Sequence, residues 1–203
     1  MNRARLRVGQ VLRASIRSFV IGCEVLQPDV PVFGSFVRAD GRAPGSAIYG
    51  LIYDVIFEGD RFLRHFIGSD TPEEVIRDQR ENRQVPIEVS VLAVGCGDGT
   101  TARHCLPAQP PITLDWLYRC TDEDVRAFTA QFDYFRLVLE SRDVPTDELL
   151  ATSIRAAAAA RPETERETFI IGAGRELARL LAGDPLRLEG LLRRLRATRV
   201  PMR

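Results

Sequence analysis

Four apolar runs in the first sixty residues, each cut off by a turn signal, restrict this chain more than any other feature of its sequence. They are Val8–Leu12, Ser15–Ile21, Val32–Arg38 and Ala47–Phe57, all rich in Val, Ile, Phe and Tyr. Gln27-Pro28-Asp29, Asp40-Gly41, Ala43-Pro44-Gly45 and Glu58-Gly59-Asp60 separate or close them. β-branched and aromatic runs bounded by such residues predict strands, and short strands at this spacing favour a small barrel or sandwich over a parallel sheet. One helix interrupts the series. Thr71-Pro72-Glu73-Glu74 has a capping residue, a proline at the first helical position and an acid three after the cap. The predicted helix runs to Arg83 and Pro86 stops it, after which Ile87–Val94 alternates like another strand.

From Thr113 onward the periodicity changes to that of helices. Thr121-Asp122-Glu123-Asp124 places acids at a helix N-terminus, and Phe128, Phe132, Phe135 and Val138 follow at helical spacing. Pro145-Thr146-Asp147 opens a second helix through the alanine block Ala156–Ala160, Pro162-Glu163 a third, and Asp184-Pro185 a fourth. Thr113-Leu114-Asp115-Trp116 reads as a helix start, and no strand is required after residue 113. The expected fold class is therefore α+β: a small antiparallel β-barrel with one inserted helix over residues 1–112, then an all-helical domain over residues 113–203.

The charge pattern narrows the function. Of 203 residues, 28 are basic and 28 acidic, and the two predicted domains each balance separately. That balance provides no footprint for nonspecific binding of nucleic acid or an anionic membrane. Every basic residue is arginine. Without lysine, a Schiff base and a conventional phosphate-binding P-loop are both excluded. Arg13 and Arg17 interrupt any signal-like apolar stretch near the start. The most apolar run, Ala47–Phe57, is too short to span a bilayer and contains Asp54. A cytoplasmic protein with free thiols at Cys23, Cys96, Cys105 and Cys120 is expected.

The stretch Val91–Arg103, VLAVGCGDGTTAR, looks like the loop with which methyltransferases hold S-adenosylmethionine. Such a loop links a parallel strand to a helix. Here Ala93 replaces the acid expected at the strand end, and Pro107, Pro110 and Pro111 forbid a full helix after it. The alternative is a β-hairpin, with Gly97-Asp98-Gly99 as its turn and Thr100–Leu106 as the returning strand. Cys96, His104, Cys105 and Cys120 contain no Cys-x-x-Cys pair, and His104 and Cys105 would point to opposite faces of a strand, so no metal is expected. His65 and His104 are the only histidines, and no Gly-x-Ser-x-Gly elbow is present. No catalytic residue and no cofactor is assigned. Phe19, Phe33, Phe36, Tyr49, Tyr53 and Phe57 could stack bases in a single-strand nucleic-acid-binding barrel, but more often such residues fill a barrel core.

The segments VGQVLRASIRSFVIGCEV, PVFGSFVRAD, IYGLIYDVIF and VPIEVSVLAVG, with the proline-rich exit LPAQPP, together resemble the HAS-barrel family. This is the small barrel shared by HerA-type translocases and ATP-synthase catalytic subunits. The likeness rests on Val8-Gly9-x-Val11, on Gly34 entering a middle strand and on Tyr49-Gly50-x-Ile52, and covers roughly residues 6–112. In place of the family's P-loop motor this sequence continues into helices, so no ATPase residues carry over. The resemblance implies a barrel used for assembly, with a protein partner such as a translocase or nuclease of a DNA-processing complex. Contact with nucleic acid would be at most indirect, and a homo-oligomer is allowed.

The functional expectation is accordingly a non-enzymatic interaction module, with S-adenosylmethionine-dependent methyl transfer and single-strand nucleic-acid binding as rivals. Arg77, Arg80 and Arg83 form a stripe on the inserted helix, with Glu81 beside them, and mark the expected partner site. Residues 187–203 form a basic amphipathic tail, read first as a surface helix and second as a nucleic-acid or acidic-partner contact.

Overall fold

A computed structural model describes residues 6–24, 31–43, 45–57, 86–98 and 101–196. The first half supplies β1 (Arg7–Ala14), β2 (Ser18–Glu24), β3 (Phe36–Asp40), β4 (Ala47–Phe57), β5 (Pro86–Gly97) and β6 (Ala102–Arg103). A seventh strand, β7 (Trp116–Arg119), follows. All pairings are antiparallel, and the sheet order β2-β1-β7-β3-β4-β5-β6 returns on itself through β2–β5. The result is a closed six-stranded barrel with β6 as an addition. Strand β5 holds β2 along Pro86–Leu92 and β6 at Cys96 and Gly97, so one edge serves two partners in succession.

Period-two alternation gives the barrel wall two apolar faces. On β4, Ile48 and Ile52 point into the lumen, whereas Ala47, Tyr49 and Leu51 point outward. Strand β5 sends Ile87, Val89, Val91 and Ala93 inward and Leu92 and Val94 outward. The lumen is packed with these side chains together with Val11, Phe19, Ile21, Cys23, Val37, Ala39 and Leu117. The outward set, with Phe36 of β3, joins a second core made by the helices.

That helical layer comprises α1 (Asp122–Phe128), α2 (Tyr134–Leu139), α3 (Thr146–Ala159), α4 (Glu163–Leu180) and α5 (Pro185–Arg196). Helix α1 starts at a capping box: Thr121 Oγ1 accepts from the Asp124 amide at 3.1 Å, and Asp124 Oδ2 accepts from the Thr121 amide at 3.0 Å. Helix α3 lies at the centre, burying Leu149, Leu150, Ala151, Ile154, Ala157 and Ala158. Its small alanine face admits close neighbours, and α1, α2, α4, α5 and β4 all pack on it. Gly34 adopts φ 80° where the loop into β3 meets this helix; a Cβ there would lie 2.5 Å from the Thr152 methyl.

Three expectations need correction. A strand does follow residue 113. Trp116–Arg119 pairs with β1 and β3 and closes the barrel, past the expected limit of 112. Thr113–Trp116 is no helix start. Leu114 takes φ 71°, rare for a side chain of its size. It is held there by its amide donating to the Val11 carbonyl at 2.8 Å and by Gln10 Nε2 donating to its own carbonyl at 3.0 Å. The helical run from Phe128 to Val138 is broken between α1 and α2, where Thr129 Oγ1 turns back onto the Val125 carbonyl at 2.7 Å. The inserted helix, Thr71–Arg83, lies outside the described residues. No helix among those described is long and apolar enough to cross a membrane.

Candidate functional site at the barrel–helix junction

The methyltransferase-like stretch is part of an antiparallel hairpin. Strand β5 continues through Gly95-Cys96-Gly97, and β6 returns with Cys96 opposite Arg103 and Gly97 opposite Ala102. Asp98 Oδ1 accepts from the Thr101 amide at 2.9 Å and tightens the turn. The glycines have a packing cause. A Cβ on Gly95 would lie 2.5 Å from the Phe128 ring and 2.8 Å from the Arg103 carbonyl, and one on Gly97 would strike the Thr101 carbonyl. Helix α1 and strand β6 can press onto β5 only where side chains are missing.

The returning strand is shorter than expected because the chain bends after Arg103. The Cys105 amide donates to the Arg103 carbonyl at 3.1 Å, a two-residue closure that ends β6. The bend sends His104 toward the helices and returns Cys105 toward β5, where its sulfur lies 2.8 Å from Cys96 Sγ. Both cysteines are free thiols and half-buried. Burial, reinforced by the neighbouring Cys105, pushes the Cys96 thiol up to about 11.

The His104 side chain is 5% exposed. Its Nε2 lies 2.9 Å from the Phe128 carbonyl; a carbonyl can only accept, so Nε2 carries the proton. Its Nδ1 lies 3.8 Å from Asp133 Oδ2. The imidazole thus occupies one of the free carbonyls in the last turn of α1. It also meets the Phe128 and Tyr134 rings edge-on, at 4.5 and 5.4 Å.

Those rings belong to a continuous aromatic chain. Tyr49 stacks on Phe128 at 4.9 Å; Phe128 meets Phe36 and Tyr134; Tyr134 meets Phe135; and Phe132 links Phe135 to Phe169. A guanidinium closes each end. Arg38 lies 5.8 Å over the Tyr49 ring and is buried, with Nε lacking a hydrogen-bond partner. Arg161 lies 3.7 Å over Phe169 and donates to the carbonyls of Ala157 at 2.7 Å, Thr129 at 3.1 Å and Arg126 at 3.5 Å. These carbonyls end α1 and α3, so one planar fork ties two helix C-termini together. Desolvation lowers the Arg161 pKa from its ordinary value. Tyr134 is fully buried and its hydroxyl makes no hydrogen bond, while neighbouring Ser153 Oγ donates to the Leu150 carbonyl at 2.9 Å. Burial drives its phenol well above the usual range, against smaller opposing effects of Ser153 and Arg161.

The aromatic residues singled out from sequence divide by face. Phe19 fills the lumen, Phe36 and Tyr49 lie beneath the helices, Phe33 and Tyr53 pack partly against that core, and Phe57 is 54% exposed. The expected partner residues Arg77, Arg80, Glu81 and Arg83 lie outside the described residues. In the C-terminal tail, Arg187 pairs with Asp147 at 2.8 Å, Arg193 with Glu189 at 2.8 Å and Arg194 with Glu148. Leu191 is buried, and Leu188 and Leu195 join the same core. Up to Arg196 the tail is therefore a helix docked on α3 with three arginines engaged by the chain's own acids. Among the described residues, no three His, Cys, Asp or Glu side chains gather as a metal site.

One feature had no sequence signal. Strand β1 carries Leu12 at 47% exposure, the turn before β7 carries Leu114 at 65% and β7 begins with Trp116 at 36%, with the Arg7 guanidinium 4.6 Å over the indole. Gln10 pairs directly with Trp116, and Val11 exchanges backbone hydrogen bonds with Leu114 and Asp115, so Leu12, Leu114 and Trp116 are neighbours along the β1–β7 backbone.

Fold and junction together define a closed antiparallel six-stranded barrel with a helical layer on one flank. No protein-family model matches the chain, and no curated protein is similar to it in sequence.

Proposed function

We propose that this chain is a non-enzymatic, cytoplasmic assembly module that binds a protein partner through its barrel. The carrying observation is the exposure of Leu12, Leu114 and Trp116, neighbours along β1 and the entry to β7, with Arg7 over the indole. Phe36, Tyr49, Leu51, Leu92 and Val94 on β3, β4 and β5 are buried in the core shared with the helices, whereas Trp116 is exposed and flanked by an arginine, a composition enriched at protein interfaces. Support also comes from how the buried polar groups are used. The His104 Nε2 and Arg161 are committed to helix-end carbonyls, which is a stabilising role. A closed barrel offers a partner side chains rather than open strand edges.

The resemblance of residues 6–112 to HAS barrels supports a partner from among the translocase or nuclease components of DNA-processing complexes. The sequence supports a second candidate element, the helix expected over residues 71–83, with Arg77, Arg80 and Arg83 as its anchors and Glu81 alongside. The test uses the full chain in two forms, Leu12→Asp with Trp116→Asp, and Arg77→Glu with Arg80→Glu and Arg83→Glu. Each is first shown to be folded by circular dichroism. The reading expects wild type to retrieve a defined partner from its native host and at least one variant to lose it. Equal retrieval by both folded variants, or no partner above a charge-matched control, refutes it.

A further inference from the structure

We propose that Cys96 and Cys105 are a redox-modification site: a dithiol that low-molecular-weight disulfides, such as oxidised glutathione, convert to an internal disulfide across the β5–β6 hairpin. This goes beyond the assembly reading and does not depend on it.

The two sulfurs approach to 2.8 Å, closer than two sulfurs rest without a bond or a shared proton. The approach is built into the backbone. Antiparallel pairing fixes Cys96 opposite Arg103, and the Cys105-to-Arg103 hydrogen bond folds the chain back so that Cys105 meets Cys96 diagonally. Both residues are half-buried, so a small reagent can reach them. The other thiols differ in position: Cys23 is buried against the lumen, its Sγ 3.8 Å from the Ile87 carbonyl, and Cys120 lies beyond β7.

The chemistry balances by thiol–disulfide exchange. One protein thiolate attacks a sulfur of the small disulfide, forming a mixed disulfide and releasing one small thiolate, which takes up a proton. The second protein thiol loses its proton to solvent and attacks the protein sulfur of the mixed disulfide, expelling the second small thiolate. Two protein thiols and one small disulfide become one protein disulfide and two small thiols. The raised Cys96 pKa keeps that sulfur protonated near neutrality, which suits it to the second step, where adjacency compensates for a small thiolate fraction.

The consequence is local and specific. The bond would staple the two sides of the glycine hairpin beside His104, the residue that pins the hairpin to the end of α1. Oxidation would thus lock the hairpin at the junction between barrel and helices. In a reducing compartment the pair stays open.

Sequence makes the test clean. With no lysine in the chain, trypsin cuts only after arginine, and each cysteine falls on its own peptide: 18–38, 84–103, 104–119 and 120–126. Full-length protein is equilibrated in buffers of rising oxidised-to-reduced glutathione ratio, alkylated and digested. The expected product joins peptides 84–103 and 104–119, with Cys23 and Cys120 still alkylated. It should vanish in Cys96→Ser and in Cys105→Ser, both checked as folded by circular dichroism. Oxidised wild type should also melt roughly 5 °C above the reduced form. Glutathione adducts without the joined peptides, a link through Cys23 or Cys120 instead, or an oxidised protein that melts no higher than the reduced one would overturn the assignment.

Discussion

At the scale of single residues, the polar groups buried between barrel and helices set the stability of the junction. Arg161 carries the largest share, because its fork serves three carbonyls and its plane covers Phe169. Arg161→Met keeps the bulk but strands those acceptors, and should cost about 3 kcal/mol. In a chain of this length that lowers Tm by roughly 6–12 °C, readable in a thermal melt. Arg161→Lys should rescue little, since an ammonium cannot span both helix ends. Tyr134 behaves in the opposite way. Its unpaired hydroxyl contributes no hydrogen bond, so Tyr134→Phe should leave stability at neutral pH unchanged or raise it by up to about 1 kcal/mol. Its raised pKa adds a pH signature. Above about pH 10 the unfolded chain loses this phenolic proton while the folded chain keeps it, so stability falls with rising pH in that range. Cys96 acts in the same direction from its ordinary 9.0 up to about 11. Denaturant unfolding between pH 8 and 11 should show a decline that is shallower above pH 10 in Tyr134→Phe. An unchanged slope in that variant would mean the phenol is not the source.

At the scale of elements, the glycine-rich hairpin shows how a familiar spelling can have another cause. Gly95 and Gly97 lack side chains because Phe128 and β6 occupy the space. A nucleotide-like cofactor would need the same space and a helix following the loop. Calorimetric titration with S-adenosylmethionine should therefore give no saturable heat; micromolar binding abolished by Gly97→Val would reverse this. Much of the element pattern was readable beforehand. Strand β4 matches its apolar run from Ala47 to Phe57, and the proline-led starts of α3, α4 and α5 lie where sequence puts them. Strand β7 was not readable. It is four residues long, buries only Leu117 and follows a left-handed leucine, so no periodicity marks it. What makes it a strand is the gap between β1 and β3, a property of the fold rather than of Trp-Leu-Tyr-Arg. The junction was half legible: each thiol and His104 stood out singly. Their convergence depends on a bend after Arg103 that uses neither glycine nor proline.

At the scale of the whole molecule, barrel and helices share a core. Phe36, Ala47, Tyr49, Leu51, Leu92 and Val94 of the barrel wall lie in the same cluster as the interior of the helical layer. A fragment ending at residue 112 lacks β7 and leaves both β1 and β3 with open edges. One ending at residue 120 can close the barrel but bares that apolar flank. Both should be insoluble or molten by near-UV circular dichroism, whereas the chain through residue 196 should melt cooperatively; a fragment 1–112 with a sharp transition would contradict this. The position of β7 also has a bearing on synthesis. The stave that completes the barrel is among its last-made parts: Gln10 must wait for Leu114, 104 residues later, before its side chain finds its acceptor. While a ribosome is still adding those residues, the nascent sheet offers strand edges to any neighbouring chain. Crowded translation of this message therefore favours whatever binds the first strands early, whether a chaperone or the chain's own eventual partner.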